Sequence, residues 1–431
     1  MSHQGFTLDE LTKLEGHAKL NVEMKGNRVK STHLEVYEAS RYFESLLLGR
    51  DFREAPYITQ RICGICSVVH TLTSIKAVED ALRITPSEQA VDLRKLMLYA
   101  SNIHSHTAHL FFFALPDYLG FDDVIELSRK KHDYMHLALD LQKLSSDIVK
   151  IAGGRALHPV TPAIGGFRSV PDKKKIENIV KNLEGIKKLA VKIAGIFSGL
   201  ELPGFEAKCR HISFRADGEY PLYDGAITDN SGYSFDAGDY KKYLIEDVVR
   251  YSNSKHAKFR GESYMTGALP RLNANWKSLS GDAKRLMDNS GFRPPIFNPF
   301  ANNLAQAIEM VHFADASMEL LEKYGKGMKS EKFEAKPRAK GSEGTGVCEA
   351  PRGLLFHNYG IGSDGKIKYA NVITPTAQNA ARMEDDIALF LPAITGKPAA
   401  KVKLLLEMLI RAYDPCFSCS AHFLELSLKK K

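Results

Sequence analysis

The sequence predicts an α+β protein that is mainly α-helical, a large helical bundle with peripheral β-hairpins. Apolar residues recur at the helical period in several long segments, of which residues 88–114 contain neither glycine nor proline. Strand-like alternation marks a stretch near the N-terminus, and turn residues indicate a second hairpin. The chain has 431 residues, 44% of them hydrophobic, and is therefore long enough to bury a large core.

The first predicted element is a β-hairpin over residues 18–36, which alternate in polarity and turn at Lys25-Gly26-Asn27. A helix is predicted from Ile65 to residue 82, where apolar side chains fall at helical spacing, so Cys66 and His70 share one of its faces. Further helices are predicted at residues 88–114, 123–151, 172–199, 301–325, 377–392 and 399–412.

The remaining stretches lack a helical period. Residues 205–240 are rich in Gly, Asp and Tyr, which indicates loops and short strands. The charged, glycine-containing residues 325–346 are typical of an exposed, mobile connection. A second hairpin is predicted around Ser363-Asp364-Gly365, with strands near 354–359 and 366–373.

The composition argues against several classes of function. A net charge of +8, from 59 basic and 51 acidic residues, is mild for this length and is not the footprint of a nucleic-acid-binding protein. No apolar run reaches membrane-spanning length, and the N-terminus lacks the basic and apolar regions of a secretory signal. We therefore expect a cytoplasmic protein with no nucleic-acid partner and no direct membrane span.

Two CxxC pairs lie near opposite ends of the chain, each followed by a histidine. They are the segments Arg61-Ile-Cys-Gly-Ile-Cys-Ser-Val-Val-His70 and Asp414-Pro-Cys-Phe-Ser-Cys-Ser-Ala-His422. A fold that brings the pairs together builds a site of four thiolates. Such soft ligands select zinc, copper(I), iron or nickel over magnesium or calcium.

Spacing alone leaves three interpretations of these thiols open: structural zinc, a redox dithiol, or disulfides. Structural zinc usually staples a small, locally closed module. Here about 350 residues separate the two pairs, in a chain long enough to fold without a staple. The separation favours a site kept for chemistry.

The two motifs together resemble those of the large subunit of nickel–iron hydrogenases. Three further segments match that family in the same order, Leu14-Glu-Gly-His17, Glu349-Ala-Pro-Arg-Gly353 and Pro375-Thr-Ala-Gln-Asn379. A fourth, Pro299-Phe-Ala-Asn-Asn-Leu-Ala-Gln306, is similar to that of cytosolic, sulfhydrogenase-type bidirectional enzymes. The resemblance implies the large-subunit fold and reversible heterolytic cleavage of H2 into protons and electrons.

The resemblance also implies a nickel–iron centre held by the four cysteines. Cys63 and Cys416 would be terminal ligands of nickel, whereas Cys66 and Cys419 would bridge nickel to iron. The iron of this family also carries carbon monoxide and cyanide, which no residue type could reveal.

Further roles follow from the same resemblance. Cys416 would be the first proton acceptor and Glu15 would carry the proton onward. Arg352 would hang over the open face of the centre, with Asp414 beside it, and His70 would hydrogen-bond near the bridging sulfur.

Two positions depart from the family pattern. Lys13 stands where the family usually has arginine, which keeps the charge but not the planar fork. Ser105 stands where the best-known members have aspartate, so the hydrogen bonding around the active-site arginine must differ.

A magnesium site and a processed tail are implied as well. Glu44, the backbone carbonyl of Val372, and His422 would bind Mg2+. A maturation protease would remove residues 423–431 after nickel insertion by a chaperone, leaving one domain over residues 1–422.

Electrons from a buried centre need another subunit. Outside the CxxC pairs only Cys209 and Cys348 remain, whereas an iron–sulfur cluster takes about four cysteines. The resemblance implies an obligate iron–sulfur small subunit across a large apolar interface, linked to flavin subunits that use NAD(P).

Two alternative functions stay open at this point. A hydrogen-sensing member of the family would carry the same ligands but turn over slowly. A structural zinc protein would bind zinc alone, although the ordered matches at residues 14–17, 349–353 and 375–379 argue against it. Metal content and turnover with a viologen dye distinguish these cases.

Overall fold

The computed structural model describes residues 3–330 and 341–421. In these ranges the α-helices are α1 (Phe43–Leu47), α2 (Ala55–Thr59), α3 (Ser67–Leu82), α4 (Glu88–Ala108), α5 (Leu115–Leu119), α6 (Val124–Lys130), α7 (His132–Gly153), α8 (Lys173–Ser198), α9 (Ala268–Asn275), α10 (Gly281–Asn289), α11 (Asn302–Glu322), α12 (Pro375–Ile394), α13 (Ala399–Ala412) and α14 (Phe417–Ser420).

The strands of the described chain form small, mostly antiparallel sheets. Their orders are β1 (His3–Leu8), β2 (Ala18–Lys25), β3 (Arg28–Val36); β4 (Pro162–Ala163), β5 (Gly166–Phe167); β11 (Tyr264–Met265), β6 (Arg210–Arg215), β7 (Ala226–Asp229), β8 (Ser234–Phe235); β10 (His256–Phe259), β9 (Leu244–Asp247); and β12 (Ser342–Ala350), β13 (Gly353–Ile361), β14 (Ile367–Ile373). The pairing of β11 with β6 is parallel.

A bundle of four long helices forms the centre of the molecule. Helix α4 packs against α7, α7 against α8, α8 against α11, and α11 back against α4. The residues between them are fully buried and apolar, among them Leu96, Leu141, Leu183 and Phe313. The predicted helical bundle with peripheral hairpins, and with it the mainly α-helical α+β class, is confirmed.

The predicted helices are confirmed with two interruptions. The helix expected over 123–151 breaks at Lys131, whose backbone (φ −131°, ψ 58°) leaves the helical region between α6 and α7. The helix expected over 88–114 is α-helical only to Ala108 and continues as a π-helix over His109–Ala114. Such π-segments often occur near functional sites.

The first hairpin is confirmed, with Leu20 opposite Leu34 across β2 and β3. The sequence prediction missed β1, which pairs antiparallel with β2 and places Phe6 opposite Val22. The sheet therefore has three strands rather than two.

The connection predicted over 325–346 is partly wrong. Residues 342–346 begin β12, which lies against α3 so closely that only glycine fits. A Cβ at Gly344 would lie 2.1 Å from the backbone nitrogen of Ala81, and one at Gly346 would lie 2.2 Å from the Thr73 carbonyl oxygen. The glycines thus mark close packing of a helix on a strand rather than a mobile loop.

Some predictions lie outside the described residues. They concern residues 331–340 of that connection, His422 as a magnesium ligand, and the tail 423–431. A single domain over 1–422 stays a prediction. None of the helices in the described ranges combines the length and apolarity needed to cross a membrane.

Candidate metal centre

The first CxxC pair lies at the start of helix α3. Cys66 is the residue before the helix, and its backbone N–H points to Cys63 Sγ at 3.5 Å. The partial positive charge of a helix N-terminus favours thiolates. The helix predicted from Ile65 to residue 82 is confirmed, but it begins two residues later, at Ser67, with Cys66 as its N-cap.

The second pair is placed by backbone pairing with the N-terminal segment. Glu15 and Cys416 form an isolated parallel β-bridge, and the Phe417 N–H donates to the Glu15 carbonyl oxygen at 3.0 Å. Gly16 (φ 85°) makes this approach possible, because a Cβ there would lie 2.9 Å from the backbone nitrogen of Ser418.

These two placements bring the four cysteines together in the protein interior. Cys63 Sγ lies 3.6 Å from Cys416 Sγ, which lies 2.7 Å from Cys419 Sγ. These three sulfurs all lie within 4.8 Å of one another. Cys66 is buried beside them, 4% exposed, and all six cysteines of the chain are free thiols.

Arg41 joins the two cysteine segments and was missed by the sequence interpretation. Its guanidinium donates to the carbonyl oxygens of Ile62 at 2.6 Å and Ser418 at 2.5 Å. One residue thus fixes the backbone directly before Cys63 and that between the second pair. Its only signal in the sequence is its place three residues before Glu44.

The cysteine cluster needs a bound cation for all of its thiols to ionise. Hydrogen bonding from the Cys416 thiol holds the pKa of Cys63 well below its usual range, whereas burial raises the pKa values of Cys416 and Cys419. Four adjacent buried thiols cannot all ionise unless a positive charge lies among them. The donor set therefore fits a soft metal centre.

Arg352 and Asp414 form a buried pair beside the sulfurs. Arg352 lies in the tight turn between β12 and β13, where its Nη2 contacts Asp414 Oδ1 at 2.8 Å. Its Nη1 points to Cys66 Sγ and to Ser105 Oγ, both at 3.3 Å. At the position of the usual aspartate the arginine therefore meets a hydroxyl. Burial is offset mainly by Asp414, which raises the pKa of Arg352.

A hydrogen-bonded chain of Gln306 and His109 supports Asp414. Gln306 Nε2 donates to Asp414 Oδ2 at 3.0 Å, and Gln306 Oε1 lies 2.6 Å from His109 Nδ1. Gln306 belongs to the Pro299–Gln306 segment that was noted for its resemblance alone. Its amide type carries no signal of this role.

Glu15 lies beside the cysteines, and its role in proton transfer stays a prediction. Its Oε2 lies 3.0 Å from Cys416 Sγ and accepts from the Ser418 N–H at 3.1 Å, while the Ser418 hydroxyl donates to Oε1. Ser418, hidden between the cysteines, is a second contact that the sequence did not reveal.

His70 lies in the first turns of α3, one helical turn after Cys66. Its described hydrogen bond joins Nδ1 to Nε2 of His357 at 3.1 Å, and His357 Nδ1 lies 2.6 Å from the Tyr359 hydroxyl. Burial lowers the pKa of His70 to about 4, so the ring is neutral at pH 7. Its contact with the bridging sulfur stays a prediction.

Two of the three predicted magnesium ligands lie together. Glu44 Oε1 accepts from the backbone N–H of Val372 at 2.8 Å, and Lys255 Nζ lies 3.9 Å from the other carboxylate oxygen. Burial raises the pKa of Glu44, because this carboxylate lacks full compensation by its neighbours.

Comparison with known proteins decides the family. The family model described as nickel-dependent hydrogenase matches residues 41–135 and 213–422. The chain belongs to the nickel-dependent hydrogenase family. It is 33% identical to sulfhydrogenase 1 subunit alpha of Pyrococcus furiosus, covering 97% of this chain and 98% of that one.

Other relatives of this hydrogenase agree in length and fold. It is 29% identical to the NAD-reducing hydrogenase HoxS subunit beta of Cupriavidus necator, covering 97% of this chain and 94% of that one. The solved structure of an NAD+-reducing nickel–iron hydrogenase in its H2-reduced state aligns with a TM-score of 0.83 at 25% identity, over 97% of this chain and 99% of that one. The predicted large-subunit fold is confirmed.

Proposed function

We propose that this hydrogenase subunit cleaves H2 reversibly into protons and electrons at a nickel–iron centre held by its four buried cysteines. The observation that carries the proposal is their convergence with a carboxylate on one side and a fixed guanidinium on the other. Glu15 contacts Cys416 at 3.0 Å, and Arg352 contacts Cys66 at 3.3 Å. A proton acceptor and a fixed positive charge thus both contact the cysteine sulfurs directly.

The ligand roles follow the family pattern residue by residue. Cys63 and Cys416 would be terminal on nickel, and Cys66 and Cys419 would bridge to iron, which would also carry carbon monoxide and cyanide. When bound, the centre supplies the soft, electron-rich metals that accept the electron pair of H2.

The chain's own residues manage the proton. Cys416 Sγ takes it up first, and Glu15 Oε2 accepts it at 3.0 Å. Ser418 holds this carboxylate toward the sulfur through its amide N–H at 3.1 Å. Arg352, oriented by Asp414 beside Cys66, polarises H2.

A magnesium ion at Glu44 would complete the structure near the C-terminus. Its ligands would be the Glu44 carboxylate, the Val372 carbonyl and His422. Support comes from the half-buried, incompletely compensated Glu44 and its 2.8 Å contact with the Val372 backbone N–H. In this proposal residues 423–431 are removed by a maturation protease once a chaperone has supplied nickel.

The electrons require a partner. An iron–sulfur small subunit would receive them, and flavin subunits that use NAD(P) would follow, because a relative of similar length is named an NAD-reducing hydrogenase. We place the assembly in the cytoplasm.

Infrared spectroscopy of the purified native complex tests the centre directly. One carbonyl band and two cyanide bands that shift under H2 are expected, with rapid H2-dependent reduction of a viologen dye. Bands with very slow dye reduction would indicate a hydrogen sensor. Their absence from protein whose intact mass ends at residue 422 would reject the proposal.

A further inference from the structure

Arg271 lies outside the metal centre, and the mechanism above does not use it. It lies in α9, is fully buried, and has an acceptor for each of its five N–H bonds. Nε and Nη2 bind the two carboxylate oxygens of Glu309 at 2.7 and 2.8 Å, and Nη1 binds Glu349 Oε2 at 3.0 Å.

The two remaining N–H bonds point at the backbone next to the catalytic arginine. Nη1 donates to the carbonyl oxygen of Ala350 at 2.8 Å, and Nη2 donates to that of Pro351 at 3.2 Å. These residues directly precede Arg352 in the turn between β12 and β13. With both carbonyls fixed, the direction in which the Arg352 side chain leaves the backbone is largely set.

Helix α4 holds both arginine sites. His106 Nε2 lies 2.8 Å from Glu309 Oε2, and its neighbour Ser105 contacts Arg352 at 3.3 Å. Adjacent residues of one helix therefore serve the Arg271 cluster and the catalytic pair.

Helix α11 likewise contributes one residue to each of the two sites. Glu309 chelates Arg271, and Gln306, one turn earlier, binds Asp414 at 3.0 Å. A shift of the Arg271 guanidinium would therefore be transmitted through both α4 and α11 to the residues that contact Arg352 and Asp414.

We infer that Arg271 is a positioning residue for the hydrogenase reaction: through the Ala350 and Pro351 carbonyls it holds the Arg352 guanidinium over Cys66 and Asp414. The inference rests on the proposed function, in which Arg352 polarises H2. Lysine cannot replace Arg271, because it has three donors and no planar fork for five acceptors.

A purely structural role is the competing explanation, and Arg94 provides a matched comparison. It is also fully buried and chelates a carboxylate, that of Glu79, at 2.6 and 2.8 Å. It binds one carbonyl, that of Ala163, at 3.1 Å, but none of its described hydrogen bonds reaches residues 350–352.

The test compares Arg271→Lys and Arg94→Lys in the full complex, each alone and combined with Arg352→Lys. Both substitutions should lower the melting temperature. Only Arg271→Lys should lower the turnover number, by about tenfold or more, leave the KM for H2 unchanged and shift the carbonyl band. In the Arg352→Lys background, adding Arg271→Lys should lower the turnover number by less than about twofold further, because both changes act on the same guanidinium site.

Equal effects of Arg271→Lys and Arg94→Lys on turnover and band position, or full multiplicativity with Arg352→Lys, would overturn the inference. A crystal structure of the full Arg271→Lys chain gives a readout that needs no turnover. We expect it to lose the 2.8 Å contact of Arg352 with Asp414, and its retention would also overturn the inference. Absence of turnover in the wild-type complex would instead reject the proposed function.

If Arg271→Lys does not accumulate, Glu349→Gln replaces it, because this change keeps an acceptor oxygen and the side-chain volume. The same shift of the carbonyl band, without loss of metal, is expected. An unchanged band in this variant would count against the inference.

Discussion

Glu15 and Cys416 are in direct contact, with Oε2 lying 3.0 Å from Sγ across 401 positions of the sequence. The contact is held by the backbone bridge between the same two residues and by Ser418, which binds the carboxylate through its amide and its hydroxyl. In the proposed function, a proton that leaves Cys416 would meet an acceptor that needs no rearrangement.

Glu15→Gln should stop this proton transfer while keeping an oxygen for the Ser418 amide. We expect H2-dependent dye reduction to fall on the order of 100-fold or more, with nickel and iron content unchanged. Glu10→Gln, an exposed change in the same segment, is the control and should keep full activity. A Glu15→Gln enzyme that reduces the dye at more than a tenth of the wild-type rate would show that the proton leaves by another path.

Metal content separates the cysteines of the centre from the buried cysteine outside it. Cys419→Ala removes a sulfur that lies within 4.8 Å of those of Cys63 and Cys416, so we expect the purified chain to lose both nickel and iron. Cys348→Ala changes a fully buried thiol in β12 and should retain both metals. Elemental analysis decides, and full metal content in Cys419→Ala would remove this cysteine from the ligand set.

The sequence draws attention to the cysteine cluster because thiol chemistry needs unusual residue types at fixed spacing. Two CxxC pairs are rare enough to be noticed, and Glu15 and Arg352 stand in short motifs of their own. Arg41 and Ser418 hold the same site through ordinary hydrogen bonds to backbone and carboxylate. Such contacts depend on which distant segments meet, and no local pattern encodes them.

The fold, too, is predicted where a local pattern exists and is missed where contacts between distant segments decide the structure. Helical periodicity predicts the bundle, because each helix buries its own apolar stripe. Strands β1 and β12 were missed because their neighbours, not their composition, make them strands. Gly344 and Gly346 suit a loop by residue type, yet here they allow α3 to lie against β12.

A buried ion pair makes the N-terminal segment sensitive to mutation. Asp117 lies 2.6 Å from Lys13 Nζ and 2.6 Å from Arg411 Nη1, and Arg411 Nε donates to the Thr12 carbonyl at 2.8 Å. Asp117→Asn leaves the buried Arg411 without this counter-charge. We expect the free energy of unfolding to fall by about 3 kcal/mol in urea titrations followed by circular dichroism.

The control for this change is the exposed pair Glu126 and Lys130 on α6. Glu126→Gln should cost less than about 1 kcal/mol, because water screens such pairs. Equal losses in the two variants would mean that Glu407, 3.2 Å from Arg411, already compensates the charge.

Stability should also depend on pH through Glu384, which ties α12 to the first sheet. Its Oε1 accepts from the Leu34 N–H at 2.8 Å and its Oε2 from the Tyr251 hydroxyl at 3.1 Å. Burial raises the pKa of Glu384 to about 7, above its ordinary value of 4.5. The folded chain therefore binds the Glu384 proton more tightly than the unfolded chain does. The resulting contribution of Glu384 to the free energy of unfolding is full below pH 4.5 and is lost as pH rises through 7.

Glu384→Gln should remove this dependence, since an amide does not titrate. Between pH 5 and pH 8 we expect the unfolding free energy of the wild type to fall by about 2 kcal/mol more than that of the variant, measured in urea. Glu201→Gln, an exposed change, should leave the wild-type slope intact. Burial also raises the pKa values of Glu246 and Glu349 to about 7, so the difference between variants, rather than the slope itself, is the quantity that tests Glu384. Identical slopes in the wild type and Glu384→Gln would show that this carboxyl stays ionised in the folded protein.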